Sequence, residues 1–256
     1  MDKFKMLISP AKSMDFETII DYNKFTAPLF LNQSAKINEV LKKKLPKQLI
    51  DLMGISEKLA ELNWTRNQEW TSINTQENAK QAVFAFTGDV YQGINIQNYT
   101  ANQLEILQDK LRILSGLYGI LKPLDLIQPH RLEMGTKLKV NQNIDLYHFW
   151  KSTVTHQLNE ELAENDYLIN LASQEYFKVI DKKILKVKNI ITPEFKDYKN
   201  GELKMISFFA KKARGMMVRY IVQHHIETIE DLKGFNKEGY AFDATLSTNM
   251  KLVFTR

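Results

Sequence analysis

The chain has 256 residues, 44% of them apolar and 25% charged, with a formal net charge of +5. That is the profile of an ordinary folded protein near the upper size for one hydrophobic core, so a single domain over residues 1–256 is expected. The absence of cysteine excludes disulfides, thiolate metal sites and cysteine nucleophiles, and no segment near the start is long and apolar enough for a signal-peptide core or membrane span, so a cytoplasmic protein with no membrane partner is expected.

Residues 4–8 read as a first buried strand, ended by Ser9-Pro10. Leu31, Ala35, Ile37, Val40, Leu41 and Leu45 recur at helical spacing and predict a helix over 31–45. Pro46 suits the first position of a second, short helix. Residues 63–70 continue helical, with Trp64 and Trp70 as packing residues, and 81–86 read as strand through Val83, Phe84 and Phe86. Thr100 is placed to cap a helix leading into a buried strand at Leu111, Ile113 and Leu114, which Ser115-Gly116 breaks.

The second half predicts a helix over 146–163, a buried strand over 167–171, a helix capped by Ser173 to about 179, and a strand over 184–187. Asn200-Gly201 between 195–199 and 202–206 is a two-residue hairpin signal. Its register would pair Tyr198 with Leu203, and Asp197 with Lys204 as facing opposite charges. Residues 207–226 form the longest helix, and 251–254 a closing strand. Strands and helices alternate without full regularity, so the expected class is α/β to α+β: a mixed central sheet covered by helices.

Polar groups gather just after the strand-like runs. Lys12 and Asp15 follow the first, Asp89 and Tyr91 follow the run over 81–86, and Glu175 follows 167–171. The proline-punctuated stretch after Leu114 carries Ser115, Tyr118, Asp125, His130, Arg131 and Glu133. If the strands are parallel neighbours, Lys12, Asp15, Asp89, Ser115, Tyr118, Arg131, Glu133 and Glu175 should meet at one rim of the sheet, where open α/β sheets bind ligands. Carboxylates beside Lys and Arg would serve either acid–base chemistry or a structural ion network. No nucleophile elbow, dinucleotide fingerprint or P-loop is present. The five histidines show no metal-binding spacing, so neither a metal nor a cofactor is expected.

The net charge conceals a concentration. Residues 178–219 hold 12 Lys or Arg against 4 Asp or Glu, which leaves −3 for the remainder, and residues 36–58 hold 6 against 3. Such clustering attracts polyanions. Residues 46–62 resemble a helix-hairpin-helix, a DNA-binding unit that presents amides at the start of its second helix to a phosphate. Gly54 would make the turn, Ser56 would cap the second helix in place of the usual second glycine, and Lys47 and Lys58 would add phosphate contacts. On the long helix, Lys211 and Arg214 share one face, and Lys212 and Arg219 another. Gly215 costs roughly 1 kcal/mol against alanine in mid-helix, so it implies close approach by a backbone or ligand. The expectation is that 36–58 and 178–219 border one basic cleft.

Several motifs together resemble the YaaA family of bacterial peroxide-stress proteins. They are Ser9-Pro10-Ala11-Lys12-Ser13-Met14-Asp15-Phe16, Phe86-Thr87-Gly88-Asp89-Val90-Tyr91, the run over 111–136, Tyr147-His148-Phe149-Trp150, Asn170-Leu171-Ala172-Ser173-Gln174-Glu175-Tyr176-Phe177, and Ala210-Lys211-Lys212-Ala213-Arg214-Gly215. They stand in order along essentially the whole chain. The resemblance implies resistance to hydrogen peroxide, limitation of iron-dependent damage and DNA binding, and it brings no settled reaction. The expected partner is duplex or branched DNA, bound largely without reading sequence. An enzyme acting on a nucleotide, nucleobase or modified base in the strand-end pocket is the alternative, with a small nucleotide-like ligand as its partner.

Overall fold

Five parallel strands carry the fold. In the computed structural model, which describes residues 3–256, these are β1 (Phe4–Ile8), β3 (Leu111–Ser115), β6 (Tyr167–Leu171), β7 (Asn189–Lys199) and β10 (Lys251–Thr255). They lie in the order β3-β1-β6-β7-β10, every neighbouring pair parallel. Antiparallel strands complete an eight-stranded mixed sheet: β4 (Gly119–Leu121) beside β3, β9 (Ala241–Phe242) beside β10, and β8 (Glu202–Lys204) beside β7. A small separate pair joins β2 (Lys80–Gln81) to β5 (Leu126–Ile127).

The interior strands are covered on both faces, as parallel strands must be. All five residues of β1 and of β3 are buried, including Lys5 and Arg112. Each cation is neutralised by a carboxylate, Lys5 by Asp109 at 2.8 Å and Arg112 by Glu161 at 2.8 Å. The covering helices are α1 (Leu31–Lys42), α2 (Pro46–Met53), α3 (Glu57–Glu69), α4 (Ala82–Ala85), α5 (Asp89–Ile94), α6 (Ala101–Lys110), α7 (Leu146–Glu161), α8 (Gln174–Phe177) and α9 (Ser207–Gln223). One apolar cluster runs from Phe4 to Phe254, so the chain folds around a single core. No helix among the described residues is long and apolar enough to cross a membrane.

Local sequence explains where the elements stop. Thr100 caps α6 by accepting from the Gln103 amide, while the Gln103 side chain accepts from the Thr100 amide. Asn200 and Gly201 both take positive φ, 55° and 80°, and the pairs Tyr198–Leu203 and Asp197–Lys204 form in the expected register.

Several expectations fail for identifiable reasons. Residues 81–86 are not one strand: Lys80 and Gln81 pair with β5, and the apolar Ala82–Ala85 then makes a buried helical turn. Four apolar residues in a row carry no periodicity that separates the two. Residues 184–187 bury alternate side chains but are pinned to α7, where Asn159 holds the Ile184 carbonyl and the Lys186 amide. Trp64 is exposed, whereas Trp70 is buried and donates to the Tyr118 hydroxyl at 2.9 Å. Ser173 and Ser56 stand at helix starts without making side-chain caps. Asp197 and Lys204 face each other but choose other ion-pair partners, Arg256 and Glu202 respectively.

Candidate functional site

The strand order creates a switch point. From β1 the chain goes to β3 on one side, and from β3 it returns past β1 to β6 on the other. Loops leaving the carboxyl ends of β1 and β6 therefore diverge, and a crevice opens between them. A cavity of about 390 Å³ lies at this point. Ser9 to Ser13 line it from the end of β1, and Leu171, Ser173 and Glu175 from the end of β6. Thr87 to Tyr91 enter from the start of α5, Glu133 from the loop after β5, and Lys211 and Arg214 from α9.

The two strand ends are tied together. Ser9 Oγ accepts from the Ser173 amide at 2.9 Å and lies 3.3 Å from Ser173 Oγ, while the Tyr91 hydroxyl donates to the Ser9 carbonyl at 3.2 Å. Glu133 is half-buried, and its Oε1 sits 3.2 Å from both Lys12 Nζ and Arg131 Nη2. Both cations therefore converge on the one carboxylate. Glu175 accepts from the Gly135 amide at 3.1 Å, and its own carbonyl accepts from the Tyr147 hydroxyl at 2.8 Å. Arg214 is half-buried, and loss of water holds its guanidinium below the usual range against the pull of Glu194.

Of the eight residues expected at one rim, Lys12, Asp89, Glu133 and Glu175 line this cavity, and Arg131 stands behind Glu133. The other three do other work. Asp15 caps the turn after β1, accepting from the Glu17 and Thr18 amides at 2.9 and 3.0 Å. Bonding to Thr18 is the main reason its carboxyl falls to about 2. Ser115 is fully buried and accepts from the Tyr118 amide at 3.1 Å. Tyr118 is also fully buried, its hydroxyl accepting from Trp70 Nε1 and from the Gln128 amide. Its neighbour His130 is closed off in the same aromatic cluster, and burial lowers its imidazole to about 4. The turn after β3 is thus scaffold.

Tyr91 lines the cavity beside Asp89 as its position implies, whereas Lys211 and Arg214, expected only at nucleic acid, and Ser9, Ser173 and Tyr176 are additions to the site. Ser9 and Ser173 lie one and two residues past strand ends, which was the available signal. Nothing local marks the end of a distant helix as a cavity wall.

The four cations of α9 divide as helical spacing requires. Lys211 and Arg214 face the cavity described, whereas Lys212 and Arg219 line a neighbouring one of about 600 Å³ that shares Thr87, Gly88 and Tyr91 with it. Lys212 is paired there with Glu238 at 2.6 Å. Gly215 packs backbone to backbone on α5: a Cβ there would stand 1.8 Å from the Val90 carbonyl oxygen and 2.9 Å from Gly93 Cα. The close approach is therefore to protein.

Away from the cavity, α2 and α3 meet at Gly54, whose φ is 61° and whose amide bonds to the Ile50 carbonyl at 2.8 Å. Lys47, Gly54, Ser56 and Lys58 are all exposed around that turn. No hydrogen bond or ion pair among the described residues links 36–58 with 178–219: α1 to α3 pack on one another, and α9 packs on α5, α6 and β7. Between α8 and β7, five lysines (178, 182, 183, 186 and 188) stand exposed along α7, and none makes an ion pair with a described residue. Lys178 begins this stripe beside the cavity, 4.9 Å above the ring of Tyr147.

Comparison with known proteins gives a consistent result. A family model described as "Peroxide stress protein YaaA" matches residues 4–246. A UPF0246 protein of Flavobacterium johnsoniae is 58% identical over 252 residues, covering 98% of this chain and all of that protein. UPF0246 proteins of Flavobacterium psychrophilum and Aliivibrio fischeri are 58% and 49% identical, each across 98% of this chain.

Proposed function

The chain belongs to the peroxide stress protein YaaA family, and from that premise we propose that it binds DNA by its phosphate backbone and shields it from hydrogen peroxide and iron-dependent damage. The observation that carries this reading is the lysine stripe over 178–188. Five exposed ammonium groups within eleven residues, none ion-paired with a described carboxylate and offset in that stretch only by Asp181, make a strongly positive surface. A surface of that kind binds polyanions through counterion release and reads no sequence. Cation–π contacts of Lys178 with Tyr147 and of Lys182 with Phe177 hold two of the five side chains in place.

The exposed α2–α3 turn, with Lys47, Gly54, Ser56 and Lys58, supplies a second phosphate contact in this reading. Lys211, Lys212, Arg214 and Arg219 serve less as a backbone rail, because three of the four face cavities half-buried.

The test is plasmid nicking by peroxide with ferrous iron. Wild-type protein should protect supercoiled DNA, and a folded variant with Lys182, Lys183, Lys186 and Lys188 replaced by Ala should protect much less. Equal protection by the two would mean that shielding through the stripe is wrong.

A further inference from the structure

The switch-point cavity is lined by charges of both signs. Arg214 is half-buried, yet makes no hydrogen bond or ion pair with any described residue. A guanidinium partly removed from water, with only the longer-range attraction of Glu194 to offset the loss, would be stabilised by an anion in the cavity. Lys211 lies three residues earlier, on the same helix face and lining the same cavity. On the wall supplied by the loop after β5, the Glu133 carboxylate pairs with Lys12 and Arg131 and lines the cavity, where it can accept a further donor. Tyr91, Tyr176, Leu171 and Val90 supply apolar lining between these groups. A fitting ligand has an anionic group, a flat apolar body and an N–H donor. The volume of about 390 Å³ lies within the range of about 300–1,000 Å³ usual for small-molecule sites.

We propose that this cavity binds a single nucleotide unit, with its phosphate on Lys211 and Arg214 and an amino group of its base on Glu133. Two sources share that chemistry: a free nucleoside monophosphate, and one unit of a strand held on the lysine stripe. Only the second rests on the DNA-binding reading. The stripe begins at the cavity, where Lys178 stands over Tyr147 and Tyr147 bonds to Glu175. A bound strand would therefore pass the opening.

Calorimetric titration of the full chain with dGMP, dAMP, dCMP, dTMP, guanosine and inorganic phosphate tests the assignment. The three nucleotides with an exocyclic amino group should bind about tenfold tighter than dTMP, which corresponds to about 1.4 kcal/mol. Lys211→Ala changes an exposed side chain and keeps the fold; it should weaken dGMP about tenfold and leave guanosine unchanged. Arg214→Lys should retain part of the binding that Arg214→Ala loses. Glu133→Gln should abolish the preference of dCMP over dTMP. Absence of nucleotide binding at about 1 mM by folded wild-type protein would overturn the proposal, as would a Lys211→Ala variant of unchanged affinity.

Competition between dGMP and a short oligonucleotide separates the sources. Displacement identifies a unit of the strand and its absence a free nucleotide, and both require the site. Binding of dGMP that survives loss of DNA binding in the stripe variant leaves this site standing while the DNA reading falls.

Discussion

Gly215→Ala sets two effects against each other. Alanine is the better helix former, by about 1 kcal/mol in mid-helix. Its Cβ, however, would lie 1.8 Å from the Val90 carbonyl oxygen, 2.8 Å from the Val90 carbonyl carbon and 2.9 Å from Gly93 Cα. These are backbone atoms of α5, so no rotamer change relieves them, and α5 and α9 must separate. Overpacking of a tight interior costs about 1–3 kcal/mol and more where backbone must move. The clash therefore wins, with a net loss of about 2 kcal/mol. In a domain of this size that lowers Tm by about 4–8 °C. Thermal unfolding followed by circular dichroism reads it directly, and the same separation should loosen the cavity that α5 and α9 share. An unchanged or raised Tm would refute the claim that these helices touch backbone to backbone.

Tyr118→Phe should cost about 2 kcal/mol in urea denaturation, because the Trp70 indole and the Gln128 amide are both deprived of a buried acceptor, while DNA affinity stays unchanged. Two buried groups oppose each other in acid. His130, lowered to about 4 by burial, loses its contribution as pH falls from 6.5 to 4, while Asp125, raised to about 6 by burial, gains over nearly the same window. Wild-type stability should thus be nearly flat there, whereas Asp125→Asn should lose about 3 kcal/mol between pH 6.5 and 4 by urea denaturation at the two pH values. A steep wild-type profile would contradict the pairing.

Elements whose signal is local were legible in the sequence. The register at Asn200-Gly201, the Thr100 cap and the period of α9 each depend on neighbours within a few residues, and all three appear as read. The Ala82–Ala85 turn and the coil over 184–187 were not legible, because partners distant in sequence decide them: β5 for the first, Asn159 on α7 for the second. The site follows the same division. Lys12, Asp89, Glu133 and Glu175 were found from their positions after apolar runs. Ser115 and Tyr118 satisfied the same rule, yet Trp70 and Gln128 turn that loop inward. The cavity wall made by α9 was hidden because its packing on α5, with Gly215 against Val90 and Gly93, joins segments more than a hundred residues apart.

The central claim is that DNA phosphates lie on the lysine stripe, and its most direct test is the salt dependence of DNA affinity. Each phosphate neutralised by a lysine steepens the slope of log affinity against log salt by about 0.9. Replacing Lys182, Lys183, Lys186 and Lys188 together with Ala should therefore flatten the slope by about 3–4 and weaken binding to all sequences alike. A folded variant with the wild-type slope and affinity would contradict the account.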